Sequence, residues 1–217
     1  MTHEFDKQYW ERHWHGRAEA TTGPGPAVGH LARELRDLAP GTALDAGCGT
    51  GAAALWLAEQ GWRVTAADLS SEALALAADR ASGGAAESVR WVETDLTTWD
   101  PGAQFDLVTT HYAHPATSQL DFYARIARWV APGGTLLVLA HLHGAHHVAE
   151  AAVTAEAVTG LLAASDWEVV TAAESGHDVV VRAVRRSVED HAEAGLVGHD
   201  VPVRPAVRRL DGDLVDP

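Results

Sequence analysis

Residues 42–52 read Thr-Ala-Leu-Asp-Ala-Gly-Cys-Gly-Thr-Gly-Ala, a short apolar run that meets an aspartate and breaks into alternating glycines. Its start, residues 42–45, has the composition of a buried strand, and an apolar pattern with helical spacing resumes over 52–60. The glycines therefore sit where a first strand turns into a helix. Glycine permits a tight turn and lets a ligand approach the backbone, while the opening turn of a helix presents N–H groups without partners inside the helix. A nucleotide-like ligand is implied. With Ala52 as the last small residue, the run also satisfies the dinucleotide pattern G-x-G-x-x-G/A, so the rest of the chain has to separate the two readings.

Downstream, strands expected over 63–68, 89–94, 105–111 and 135–141 interleave with helices over 71–81 and 118–130. The strands are short and apolar, and Ser, Gly or Pro punctuates the helix ends. This alternation predicts an α/β fold, a Rossmann-like doubly wound sheet that is mostly parallel. A further helix is expected over 153–164, followed by strands over 167–173 and 178–184. Only Glu174, Ser175, Gly176 and His177 join those two strands. Parallel neighbours need a crossover of about a dozen residues, so the sheet should end in a C-terminal antiparallel hairpin.

Ahead of the sheet, Phe5, Tyr9, Trp10 and Trp14 fall at helical intervals among charges and predict a short amphipathic helix over 5–16. A Gly-, Pro- and Thr-rich loop over 20–29 interrupts it, and Leu31, Leu35 and Leu38 mark a second helix over 28–38 that Pro40 and Gly41 end. Beyond Arg186, glycines and prolines recur without periodicity, which predicts a loosely structured or surface-docked tail. The expected organisation is a lid helix and loop over 1–26, a main domain over 27–187 and a tail over 188–217. The 217 residues suit one core, since single cores grow to roughly 250 residues.

The formal net charge of −14 disfavours nucleic acid and anionic membranes, because binding to phosphate backbones rests on Lys and Arg displacing counterions. No apolar run approaches the roughly 20 residues that span a bilayer. A single cysteine, Cys48, excludes an intrachain disulfide, and the charged first residues lack the apolar centre of a secretory signal. A cytoplasmic monomer or homodimer is expected, without a nucleic-acid or membrane partner.

Three acidic residues decide the context of the glycine turn. Asp45 precedes the first glycine by two residues, Asp68 ends the strand Val64-Thr65-Ala66-Ala67, and Asp95 ends the run Val92-Glu93-Thr94 before Leu96. Phe105-Asp106-Leu107-Val108-Thr109 follows as a fourth strand, and Val130-Ala131-Pro132-Gly133-Gly134-Thr135-Leu136-Leu137-Val138 as the entry to a fifth. In this order, residues 28–186 resemble the class I S-adenosylmethionine-dependent methyltransferases. The resemblance implies S-adenosylmethionine as cofactor and S-adenosylhomocysteine as product. It implies that Asp45 contacts the methionine end, Asp68 the ribose hydroxyls, and Asp95 with the Leu96 N–H the adenine. Gly47, Cys48, Gly49, Gly51 and Leu69 would complete the cradle, with Cys48 a small packing residue rather than a nucleophile. Each acid alone could cap a helix or solvate a strand end. The N-terminal helix is similar to that of the thiopurine and tellurite-resistance methyltransferases, so Tyr9, Trp10 and Trp14 either pack it on the core or cover the cofactor's sulfonium.

In an open α/β sheet, ligands bind outside the carboxyl ends of the strands, near the point where strand order reverses. The fourth and fifth strands end there in Thr110-His111-Tyr112-Ala113-His114-Pro115 and His141-Leu142-His143-Gly144-Ala145-His146-His147. Methyl transfer from a sulfonium is an in-line displacement whose rate owes much to alignment, and a base is needed only for an acceptor that arrives protonated. His111, Tyr112, His114, His141 and His143 are the candidates for the acceptor site, with His111 also beside the cofactor. Any one of these histidines alone could be a polar rim residue. The spacing His141-x-His143-x-x-His146 resembles part of the H-x-H-x-D-H run of metallo-β-lactamase-like hydrolases, but Ala145 replaces its Asp and no functional metal is expected. The expected function is methyl transfer to a small-molecule acceptor, whether thiol, amine, hydroxyl or soft anion. An NAD(P)-dependent oxidoreductase and a non-catalytic adenosylmethionine-binding protein are the alternatives.

Overall fold

The computed structural model describes residues 5–15, 25–81, 87–142, 153–187 and 208–209. Helix α1 (Lys7–Trp14) starts after Asp6, whose carboxylate accepts from the Tyr9 N–H at 2.8 Å. Helix α2 (Gly25–Glu34) leads into β1 (Thr42–Ala46), the glycine turn and α3 (Ala52–Glu59). There follow β2 (Arg63–Asp68), α4 (Ser71–Arg80), β3 (Val89–Glu93), β4 (Phe105–His111), α5 (Gln119–Ala127) and β5 (Val130–His141). Helix α6 (Ala155–Gly160), β6 (Trp167–Ser175), β7 (Asp178–Arg185) and the two-residue β8 (Arg208–Arg209) complete the order. The side chains of Ser70, Ser118 and Thr154 cap α4, α5 and α6, each accepting from the amide three residues on. Among the described residues, no helix is long and apolar enough to cross a membrane.

The strands form one sheet in the order β3-β2-β1-β4-β5-β7-β6-β8. Strands β1 to β5 pair in parallel, and β7 runs antiparallel between β5 and β6. The expected hairpin is present, with Gly176 and His177 as its turn, while β8 lies parallel along β6. A dinucleotide-binding sheet follows β5 with a strand that continues the 3-2-1-4-5-6 order; an antiparallel strand takes that place here. The order reverses between β1 and β4, so the carboxyl ends of these two strands flank the position where such sheets hold ligands.

Both faces of the central strands are covered. Ala43, Leu57 and Leu107 belong to one apolar cluster, and Leu44, Val108 and Phe122 to the other. Successive strand residues face opposite sides, so Asp45 shares a face with Ala43, and Thr109 and His111 share one with Leu107. Asp45 and Thr109 are also register partners on adjacent strands. One face thus turns from apolar to polar at the carboxyl edge.

Several boundaries differ from the sequence-based expectation, each for a local reason. Helix α2 begins at Gly25, inside the expected loop over 20–29, because a proline in the first helical turn, here Pro26, has no N–H that the helix would miss. The boundary expected after residue 26 therefore falls inside α2, and residues 20–24 lie outside the described ones. The same helix stops at Glu34 rather than residue 38. There the Arg182 guanidinium takes the Glu34 carbonyl at 2.6 Å and grips Asp37 with two bonds of 2.8 and 3.0 Å. Val130 is the first residue of β5, not the last of α5: it pairs with Phe105 before the register slips to Leu107–Thr135. Gly134 makes that slip possible, since a Cβ there would lie 2.9–3.0 Å from three carbonyl oxygens. Helix α6 is shorter than expected because Val153 bridges to Leu142 and Thr154 caps from 154.

Candidate active site

The glycine turn is anchored by two N–H donors, from Gly47 and Cys48, onto the Ala67 carbonyl of β2 at 2.8 and 3.1 Å. Gly47 has a φ of +81°, and an added Cβ would stand 2.6 Å from that of Ala113. At Gly51, with φ +78°, an added Cβ would meet the Trp91 ring at 2.6 Å. Neither position admits a side chain without strain. Gly51 precedes α3 without offering a side-chain cap, so the first turn of that helix is not closed off by its own cap residue.

Around this turn lies a cavity of about 580 Å³ at the carboxyl edge of the sheet. Of the residues singled out in the sequence, Gly47, Cys48, Gly49, Asp68, Leu69, Asp95, Leu96, His111, Tyr112, His114 and His141 line it, and α1 contributes Tyr9 and Trp14. Gly51 and Asp45 do not reach its surface. His143 and His146 lie outside the described residues, and among the described residues no cluster of three metal-binding side chains is found.

The three acids occupy different environments. Asp68 accepts from the Gly49 N–H at 2.8 Å and the Ser70 N–H at 2.9 Å, tying the glycine turn to the start of α4. Burial pushes its carboxyl above the ordinary carboxylate range, although those two donors favour the ionised form. Asp95 is exposed and closes a turn by accepting from the Thr97 N–H and hydroxyl at 2.9 and 2.6 Å. Asp45 is 0% exposed, and neither carboxylate oxygen has a hydrogen-bond partner. Its near neighbour is His111, with Nδ1 3.6 Å from Oδ1, and His111 Nε2 hydrogen-bonds with the Thr109 hydroxyl at 2.8 Å.

Burial, followed by Asp45 and Asp68, holds the Cys48 thiol well above its ordinary value, which leaves it a poor nucleophile at neutral pH. Tyr112 has a φ of +53°, and burial together with its hydrogen bond to Asp178 keeps its phenol firmly protonated. Its ring stacks on His141 at 4.7 Å, His141 stacks on His114 at 5.6 Å, and His114 stacks on Phe5 and Trp10 at 5.3 and 6.2 Å. A continuous ring wall thus runs from β4 and β5 to the N-terminal segment.

Helix α1 buries none of its own residues; its aromatic face lines the cavity instead of the core. Glu11 holds it there by accepting from the Ser71 and Glu72 N–H groups at 2.9 and 3.2 Å and from the Ser70 and Ser71 hydroxyls. Lys7 pairs with Glu93 alongside. Sequence reasoning missed Glu11, because its partners lie about 60 residues away, and it missed Thr109 and the lining residues Phe5 and His13, whereas Trp10 lines the cavity together with Tyr9 and Trp14. For Thr109 a signal was available: it stands two residues before His111 and so shares its strand face.

Residues 43–134 match a family model described as a methyltransferase domain. That stretch, a little under half of the chain, is similar to a methyltransferase domain. An uncharacterized methyltransferase of Mycobacterium tuberculosis is 36% identical over 98 residues, 44% of this chain and 48% of that protein. A probable thiol methyltransferase of Arabidopsis thaliana is 29% identical over 136 residues, 60% of each chain. The chain spans about half the length of the mycobacterial relatives it matches. Among solved structures, the N-methyltransferase NodS of Bradyrhizobium japonicum in complex with S-adenosyl-L-homocysteine superposes with a TM-score of 0.66 at 20% identity, over 82% of this chain and 97% of that one. This chain therefore shares its fold with that protein, and the stretch that the family model matches contains the glycine turn, Asp68 and Asp95.

Proposed function

We propose that the chain transfers a methyl group from S-adenosylmethionine to a small-molecule acceptor. The observation that carries this reading is the placement of Asp68 and Asp95 on one cavity beside the glycine turn, at or just past successive strand ends, with Asp45 buried at the preceding strand end against His111, which lines that cavity. A buried carboxylate without donors, Asp45, suits the ammonium of an amino acid. Asp68 faces the cavity with lone pairs that two ribose hydroxyls can share, and Asp95 with the Leu96 N–H suits an adenine edge. Gly47, Cys48, Gly49, Gly51 and Leu69 would form the surrounding cradle. When bound, the cofactor supplies an electrophilic methyl on a sulfonium. The chain's own contribution is alignment and exclusion of water. Tyr9, Trp10 and Trp14 close the cavity from α1, and their ring faces favour a cation.

His114 and His141 then flank the acceptor and can take its proton where it has one. Tyr112 serves as a wall, since its hydroxyl is committed to Asp178. His143 is retained in this group on its place in the sequence. The thiol methyltransferase relative and the N-methyltransferase neighbour make thiols and amines the first acceptors to try. An antiparallel strand next to β5 counts against the nicotinamide alternative. Calorimetric titration with S-adenosylhomocysteine should give saturable binding and titration with NAD none; the reverse would overturn the proposal. A panel of thiols and amines incubated with the cofactor should then release S-adenosylhomocysteine. Tight binding without product from any acceptor would favour the non-catalytic alternative.

A further inference from the structure

Asp45 carries a polar problem that its own strand cannot solve. Its carboxylate is fully buried and lacks any hydrogen-bond donor, a costly state for a charge unless a partner compensates it. It does not line the cavity, so its hold on a ligand depends on how it is oriented from below. His111 lines the cavity and approaches Asp45, with Nδ1 3.6 Å from Oδ1, and offers it a nitrogen donor that the neighbouring Asp68 carboxylate cannot. The ring is fixed at its other edge by the Thr109 hydroxyl, 2.8 Å from Nε2. Thr109 is itself fully buried and is the register partner of Asp45 on the neighbouring strand. Both ring nitrogens are thus directed at protein groups on one sheet face.

We propose that His111 is a positioning residue for Asp45, not a base for the acceptor: it orients one carboxylate oxygen and leaves the other for the cofactor's ammonium. This role rests on the reading that the cavity holds S-adenosylmethionine. A hydrogen on Nδ1 faces the carboxylate, which leaves Nε2 to accept from the Thr109 hydroxyl. Closing the 3.6 Å approach to hydrogen-bond distance would let the Nδ1–H donate to that carboxylate oxygen. The chain Thr109–His111–Asp45 therefore serves the amino-acid end of the ligand and has no part at its nucleoside end.

That division defines the test. S-adenosylhomocysteine carries the amino acid, whereas 5′-methylthioadenosine keeps the nucleoside and sulfur and lacks it. Calorimetry on the intact protein should show His111→Ala weakening S-adenosylhomocysteine about tenfold, the worth of one charge-assisted hydrogen bond, while methylthioadenosine stays within about twofold. Retained methylthioadenosine binding also reports a folded site. His111→Asn, whose amide N–H can replace Nδ1–H, should recover most of the loss. Thr109→Val should reproduce it in milder form. Equal weakening of both nucleosides, no weakening of either, or an Asn variant that behaves like Ala would overturn the role while leaving the proposed function intact. If the unaltered protein binds neither nucleoside, the proposed function falls first and this role with it.

Discussion

Asp68 has two duties whose consequences can be separated. Its carboxylate ties the glycine turn to α4 through the Gly49 and Ser70 N–H groups, and it faces the cavity where a ribose would lie. Asp68→Ala should therefore weaken S-adenosylhomocysteine by about 1–3 kcal/mol in calorimetry, because buried hydroxyls lose a charged acceptor. An unchanged dissociation constant would put the ribose elsewhere. Burial raises the pKa of Asp68, and hydroxyl donors favour its ionised form, so acidification should remove ligand affinity at a higher pH than for a surface aspartate. That early decline should vanish in the Ala variant. Gly51→Ala should act on stability instead: φ is +78° and the new methyl would press on Trp91, a strain of about 1–3 kcal/mol read as a lower Tm.

Helix α1 cannot hold itself. Eight residues are too few for a stable isolated helix, and none of them is buried, so its position depends on the Glu11 tether and on rings laid against the cavity. Glu11→Ala should raise hydrogen exchange across residues 5–15 and speed S-adenosylhomocysteine release by about fivefold, the worth of one cap. Unaltered exchange would mean that the rings alone seat the helix. Burial acts upward on the Glu11 carboxyl, but its donors from Ser70, Ser71 and Glu72 outweigh that and hold it below the ordinary range. A depressed carboxyl stabilises above its unfolded value and loses that contribution as pH falls through the folded one. Acidification to mildly acidic pH should therefore leave the tether closed, and exchange of residues 5–15 that rose already at pH 6 would contradict it.

For the whole molecule, the sheet order places a cavity at the carboxyl edge beside the β1–β4 reversal, and its ligand should stabilise the entire fold by mass action. S-adenosylhomocysteine at a hundredfold excess over its dissociation constant adds about 2.7 kcal/mol, a Tm rise of about 5–10 °C for a chain of this size. NAD at the same concentration should leave Tm unchanged. A rise with NAD alone would return the nicotinamide alternative.

Periodicity and punctuation in the sequence already determined the α/β class, the parallel run of strands, the closing hairpin, and the strand-end positions of Asp45, Asp68 and Asp95. Those features depend on local propensity and short spacing: a four-residue link forbids a parallel crossover, and glycines between an apolar run and a helix leave little choice of turn. Only the tertiary structure decided that Arg182 ends α2, that Val130 opens β5, that Glu11 reaches α4, and that Thr109 and His111 share a face with Asp45. Each of these joins residues distant in the chain, and such contacts follow from strand order and register, which local pattern does not encode.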